Sequence, residues 1–267
     1  MRLKTSMWLK TWAVAVAAVV AMQLTGTARA SGEERQETFK SGGTTISVEW
    51  FGAVGAADKA PAIVMLHGAD GLTRAERYRE GARRIAAGGY HVAFVHYLDR
   101  TGEKRASFGT IMRNFDPWLA TVRDSVTWIA RHPGVDPHRV GIVGISLGAT
   151  LGLAAAGQDP RVKALVEYFG PMPQGIVTAG ASLPPTLILH GAADPVVPVA
   201  NAHALENLLR SQGTAHEVKI YPGQGHGFHG AAQDDADRRV AAFLDRHLGA
   251  TDGLPRQASA PAGQAYN

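Results

Sequence analysis

Several short runs in this sequence are apolar at consecutive positions, and that pattern restricts the fold more than any other feature. The runs at 63–66 (IVML), 140–145 (VGIVGI) and 186–190 (TLILH) offer no polar alternate face. A strand of this kind must be covered on both sides, as central strands of a helix-wrapped parallel sheet are. Strands are expected at 45–51, 62–67, 91–97, 140–145, 164–169, 186–190 and 217–221, with amphipathic segments between them. Helices are expected at 75–87, 200–211 and 234–248. Another should begin at Asp116-Pro117, an N-cap with a preset first turn, carry Trp118, Val122, Ser125 and Ile129 on one face, and end at His132-Pro133-Gly134. The alternation predicts an α/β chain with a mostly parallel sheet and helices on both faces. No fixed-period repeat and no Pro/Ser linker interrupts it, so one domain is expected at 38–248. A flexible segment at 31–37 should precede it. The Gly, Pro, Ala and Gln-rich stretch 249–267 should be a disordered tail.

The first thirty residues read as a secretory signal. Lys4 and Lys10 precede the apolar run 12–24, and Ala28-Arg29-Ala30 supplies a small-residue cleavage site. The run is short of the ~20 residues needed to cross a bilayer. Export to the periplasm or medium is therefore expected, with no stable membrane association after cleavage. The net charge of +4 comes from the same segment, because without Arg2, Lys4, Lys10 and Arg29 the chain has 23 basic and 23 acidic side chains. A neutral domain gives no support for nucleic-acid binding. The four arginines at 77, 79, 83 and 84 read as the solvated face of a helix. The absence of cysteine excludes disulfides, thiolate metal sites, iron–sulfur clusters and a thiol nucleophile.

The strand at 140–145 runs straight into Gly144-Ile145-Ser146-Leu147-Gly148, and an Ala/Leu-rich helix follows. G-x-S-x-G at a strand-to-helix junction is a nucleophile elbow, a turn too tight for side chains at the flanking glycines. A serine hydroxyl needs a base to attack, and the base needs an orienting acid. In this architecture the order is serine, acid, histidine, each on a loop after a strand. Asp194 follows the strand at 186–190 and His226 follows the strand at 217–221. The backbone N–H of Leu147 is the expected first donor to an oxyanion, and that of Ala69, in His67-Gly68-Ala69-Asp70-Gly71, the second.

The strings GISLG at 144–148, HGAADPVVP at 190–198 and YPGQGHGF at 221–228 resemble those of the dienelactone hydrolase family of α/β-hydrolases, and the resemblance spans roughly 63–248. It implies an α/β-hydrolase fold, a nucleophile at Ser146, an acid at Asp194, a base at His226, and no cofactor. Two positions depart from the best-known members. Ser146 stands where they have Cys, and Gly68 where they have a Glu that interacts with the thiol. Both departures point to a general carboxylesterase rather than to dienelactone itself.

Only 170–183 separates the strand after the nucleophile from the one before the acid, which leaves no room for a cap domain. An open, compact site suits short-chain or small cyclic esters. Tyr97, Phe169 and Phe228 are candidate pocket walls, and the long connection 98–116 a candidate pocket loop. Three other readings compete: a prolyl-oligopeptidase-like peptidase, an inactive binding protein on the same scaffold, and a metal hydrolase using His226 and His229. The first lacks its large leading domain and the second predicts a lost triad member. The third lacks H-E-x-x-H, so no metal is expected. The partner is a small-molecule ester, and oligomeric state is not legible. N-terminal sequencing of the exported protein is expected to begin at Ser31; a mature chain beginning at Met1 would overturn the leader assignment.

Overall fold

The computed structural model describes residues 32–249 except 57 and 179. The leader expected at 1–30 and the tail beyond Gly249 lie outside these residues. Six parallel strands form most of one sheet: β3 (Ala60–Leu66), β4 (His91–Val95), β5 (Val135–Ile145), β6 (Val162–Tyr168), β7 (Thr186–Gly191) and β8 (His216–Tyr221). β1 (Glu34–Ser41) and β2 (Thr44–Phe51) form an antiparallel hairpin that completes it. The order is β1-β2-β4-β3-β5-β6-β7-β8, and β2 meets β4 antiparallel. The consecutive apolar runs occupy the middle, with β3 and β7 buried at every position.

Alternate side chains of these strands enter opposite cores. Ala62, Val64, Leu66 and Ile142 pack beneath α2 (Phe108–Ala130), α3 (Leu147–Ala156) and α4 (Ala200–Ser211). Ile63, Met65 and Val143 face the other side, beneath α1 (Ala75–Ala87) and α5 (Ala231–Leu248). α3 is buried at every residue, which is why its sequence is Leu, Gly, Ala and Thr with no charge. The expected mostly parallel sheet with helices on both faces is the architecture found, and no cap domain stands over it among the described residues.

Three expectations need correction. The segment 31–37 is not a flexible lead-in throughout, because Glu34 opens β1 and pairs with Phe51. Charged residues conceal this strand. Arg35 Nε donates to Glu37 Oε1 at 2.7 Å, so two charges sit in the row that ends in buried Phe39 and Ser41. Secondly, α2 begins at Phe108 rather than at Asp116, with Pro117 inside it. Its cap is Ser107, whose Oγ accepts the Thr110 N–H at 3.2 Å, and that earlier cap outcompetes the Asp-Pro start. Thirdly, the connection 98–116 is not a pocket loop. Residues Tyr97–Thr101 form a 3-10 turn, α2 takes up the end of the segment, and none of 98–116 lines the cavity at Ser146.

The arginines of α1 do lie on its outer side, yet they are tied down. Arg79 makes a two-point contact with Glu49 of β2, at 2.6 and 3.0 Å. Glu49 is buried, and burial alone would raise its pKa. The hydrogen bonds from His96 and Arg79 outweigh that and hold it at about 2. Arg83 reaches both Glu34 and Glu76. Arg79→Ala leaves a buried carboxylate with His96 alone and is expected to cost about 3 kcal/mol in urea unfolding. Glu49→Gln, which strands no buried charge, should cost less; equal or negligible losses would show that the pair does not anchor the helix.

Candidate active site

Three strand ends bring the site together. Ser146 follows β5 and keeps its N–H on Tyr168 O of neighbouring β6, at 2.9 Å. Its backbone then turns sharply, with φ 54 and ψ −117, before α3 begins. Such a conformation costs on the order of 1–3 kcal/mol and persists only where the surroundings enforce it. The flanking glycines show the enforcement: a Cβ at Gly144 would lie 2.5 Å from Ala149 Cα, and one at Gly148 2.5 Å from His67 O.

Asp194, after β7, is buried, and its Oδ1 accepts the N–H groups of Val196 and Val197 at 2.8 and 2.9 Å. His226, after β8, places Nδ1 2.7 Å from Asp194 Oδ2 and Nε2 3.0 Å from Ser146 Oγ. The carboxylate can only accept, so Nδ1 carries the proton and the lone pair of Nε2 faces the serine hydroxyl. Burial pushes the Asp194 pKa up, but the Val197 N–H, the imidazole and the Val196 N–H outweigh it, and the net shift is downward. The acid and base loops are held together by backbone. Ala193 N–H donates to Gln224 O at 3.0 Å, and a Cβ at Gly191 would come within 2.3 Å of that same oxygen.

Two backbone N–H groups near the serine have no acceptor among the described residues. Leu147 N–H belongs to the first residue of α3, where no intrahelical acceptor exists, and Ala69 N–H likewise has no acceptor among the described residues. The Ala69 loop is fixed from all sides. Tyr97 Oη donates to His67 O at 2.9 Å, Gly68 N–H donates to Tyr78 Oη at 3.2 Å, and Ala106 N–H donates to Ala69 O at 2.8 Å. Donors held this rigidly can meet developing negative charge without reorganising.

Residues 49–248 match the model of the dienelactone hydrolase family. This chain belongs to the dienelactone hydrolase family. It is a dienelactone hydrolase-like member of the carboxylic ester hydrolase class. A Salmonella typhimurium protein with the provisional name carboxymethylenebutenolidase is 26% identical over 200 residues, covering 65% of this chain and 73% of that one. Among solved structures, a Klebsiella pneumoniae protein provisionally named a dienelactone hydrolase is 22% identical with a TM-score of 0.71, covering 80% of this chain and 99% of that one. The Pyrococcus horikoshii acylaminoacyl peptidase is 18% identical with a TM-score of 0.68, covering 84% of this chain but 43% of the peptidase. The fold shared with these structures is that of the α/β-hydrolases.

Within this dienelactone hydrolase-family chain, the candidate walls fare differently. Phe169 and Phe228 line the cavity, and the Phe169 ring lies 4.6 Å from that of His226. Tyr97 does not line it. The tyrosine is buried beneath the Ala69 loop, stacked on His67 at 4.2 Å, where its hydroxyl holds the loop instead. His229 is exposed, and no group of three His, Asp or Glu among the described residues is placed to hold a metal. At Gly68 a Cβ would meet Asp70 Oδ1 at 3.0 Å and Tyr78 Oη at 3.3 Å, so that corner is already occupied by the Tyr78–Asp70 hydrogen bond.

Sequence reasoning missed Glu167. It lies on β6 beside Gly144, accepts the Gly170 N–H through Oε1, and braces the turn in which Phe169 adopts φ 40. Its Oε2 is buried with no hydrogen-bond partner among the described residues. Burial raises its pKa to about 8, opposed by the single N–H of Gly170. A carboxyl whose folded pKa lies above its unfolded value binds its proton on folding, so stability declines as pH rises from the ordinary carboxylate range through about 8. Glu167→Gln is expected to flatten that decline, gaining stability over wild type at pH 8.5 relative to pH 5 in urea titrations. An unchanged slope would mean that Glu167 is not the titrating group.

Proposed function

We propose that this chain is an exported serine hydrolase that cleaves carboxylic esters through an acyl-enzyme on Ser146. The observation that carries the reading is the continuous relay from Asp194 through His226 to the Ser146 hydroxyl, with the Leu147 and Ala69 N–H groups left without an acceptor among the described residues. His226 Nε2 takes the hydroxyl proton as Ser146 Oγ bonds to the ester carbonyl carbon. Asp194 holds the imidazole tautomer and stabilises the imidazolium. The carbonyl oxygen becomes an oxyanion held by Leu147 and Ala69 N–H. Collapse breaks the bond to the alcohol oxygen, which leaves with the proton from His226. Water, deprotonated by the same imidazole, then attacks the acyl-serine and releases the carboxylic acid.

No cap domain stands over the serine among the described residues, which gives short-chain and small cyclic esters, lactones included, direct access. The relatives' name, carboxymethylenebutenolidase, supports the same ester and lactone class. The leader motif at 1–30 supports action outside the cytoplasm. None of the steps draws on a cofactor.

Incubation with a fluorophosphonate is expected to give a stoichiometric adduct on Ser146 that His226→Ala abolishes. Ser146→Ala should reduce ester turnover by about four orders of magnitude while the protein stays folded. Near wild-type turnover in Ser146→Ala would show that another residue is the nucleophile. Folded protein that forms no adduct would favour a binding protein on a hydrolase scaffold.

A further inference from the structure

The cavity at Ser146 extends far beyond the reacting atoms. It encloses about 570 Å³, and its lining reaches from Ser146 and Ala69 at the carboxyl ends of the strands to Tyr90 and Asp245. Strand register fixes the span. Tyr90 precedes His91, which pairs with Ala62, which pairs with Val140, six positions before Ser146. At about 3.3 Å per strand residue the cavity runs about 20 Å along the sheet. An extended chain advances about 1.2 Å per bond, taking ~3.5 Å over the three backbone bonds of a residue, so roughly sixteen bonds fit that length.

The space lies between α1 and α5, two helices that cover the same face of the sheet without closing on each other there. Met65 and Val143 form its floor, Ile85 one wall, and Val240 and Leu244 the other. Polar links cross above it. Arg77 donates to Phe228 O at 2.6 Å, Arg84 pairs with Asp237 at 3.1 Å, and Tyr90 Oη donates to Asp245 at 2.7 Å. Gly81 keeps the middle open. It sits inside α1, where glycine costs about 1 kcal/mol relative to alanine, and neither a left-handed backbone nor a close neighbour requires it. A Cβ there would meet only Met65 Cε, at an ordinary 3.4 Å.

We infer that the preferred substrates carry a linear aliphatic acyl arm that lies in this channel between α1 and α5. The inference rests on the serine-hydrolase reading above and names the substrate class for that site. A largely apolar space continuous with the nucleophile shields a hydrocarbon chain from water and leaves no hydrogen-bonding group of that chain unpaired. The acyl arm is the one retained, because the alcohol must depart before water reaches the acyl-serine, whereas a chain beneath the polar links stays in place through both steps. Short esters reach the serine as well but leave the channel unused.

The test is kcat/KM for p-nitrophenyl esters from acetate to dodecanoate below their micelle concentrations, with fluorophosphonate labelling of Ser146 scored in parallel. Activity is expected to climb about threefold per added methylene through the mid-length esters. Alkyl acetates with equally long alcohol arms should show no such climb. Gly81→Phe, and independently Ala241→Phe at the α5 residue that also lines the cavity, should lower the dodecanoate-to-acetate ratio at least about tenfold by displacing several methylenes. A flat or falling series in protein that labels at Ser146 overturns the channel assignment and leaves the hydrolase reading standing. A climb confined to the alkyl acetates overturns the acyl placement. Absence of both labelling and hydrolysis overturns the hydrolase reading itself, and the inference with it.

Discussion

The backbone of α3 lies against the carbonyls at the end of β3, and the rest of the site depends on that contact. A Cβ at Gly148 would stand 2.5 Å from His67 O and 2.6 Å from Leu66 O, so only glycine lets the helix start where it does. The approach has two results. It forces Ser146 into a backbone conformation that non-glycine residues rarely adopt, lifting its hydroxyl clear of the sheet. It also sets the loop that carries Ala69 against Ser146, where a Cβ at Gly68 would stand 3.4 Å from the serine Cβ. Ser146 and the Ala69 loop are thus one rigid unit, built from backbone and backed by an uncharged, wholly buried helix.

Two buried carboxyls near this unit show how local donors decide ionisation. Asp194 and Glu167 both suffer desolvation that disfavours the charged form. Asp194 has two backbone N–H groups and an imidazole to compensate, and its pKa falls. Glu167 has one N–H, and its pKa rises to about 8. One group is thereby kept as an anion that can orient and stabilise an imidazolium. The other keeps its proton near neutrality and acts as a brace under the Phe169 turn, which packs against the same histidine. Burial is common to both, so the difference lies in the count and direction of hydrogen bonds.

Much of this arrangement was legible in the sequence because it follows from neighbours in the chain. Continuous apolar runs identify β3, β5 and β7, and the glycines around Ser146 identify the elbow. The positions of Asp194 and His226 just after strands place them at the same sheet edge. What was not legible depends on partners far away in sequence. β1 reads as a polar lead-in because Arg35 and Glu37 satisfy each other, so only Phe39 and Ser41 turn fully inward. Tyr97 looks like a pocket wall at the end of β4, yet a turn directs it under the Ala69 loop. Pro117 looks like a helix start because its ring suits a first turn, and only the Ser107 cap shows otherwise. The channel has no sequence signature, since it is the space that α1 and α5 leave between them.

The order of the strands gives the site an unequal foundation. Ser146 follows β5, which is flanked by β3 and β6 in the middle of the sheet, whereas His226 follows β8, an edge strand paired on one side with β7 alone. Five of the six residues of β8 are only partly covered. Edge segments of this kind open locally at lower free energy than the core. Under the proposed mechanism, a molecule that frays at β8 therefore keeps Ser146 posed and loses His226, and the serine falls silent while most of the sheet is still intact. On that mechanism the reactive state belongs only to the fully closed molecule, so a partly opened or incompletely assembled one carries no activated hydroxyl.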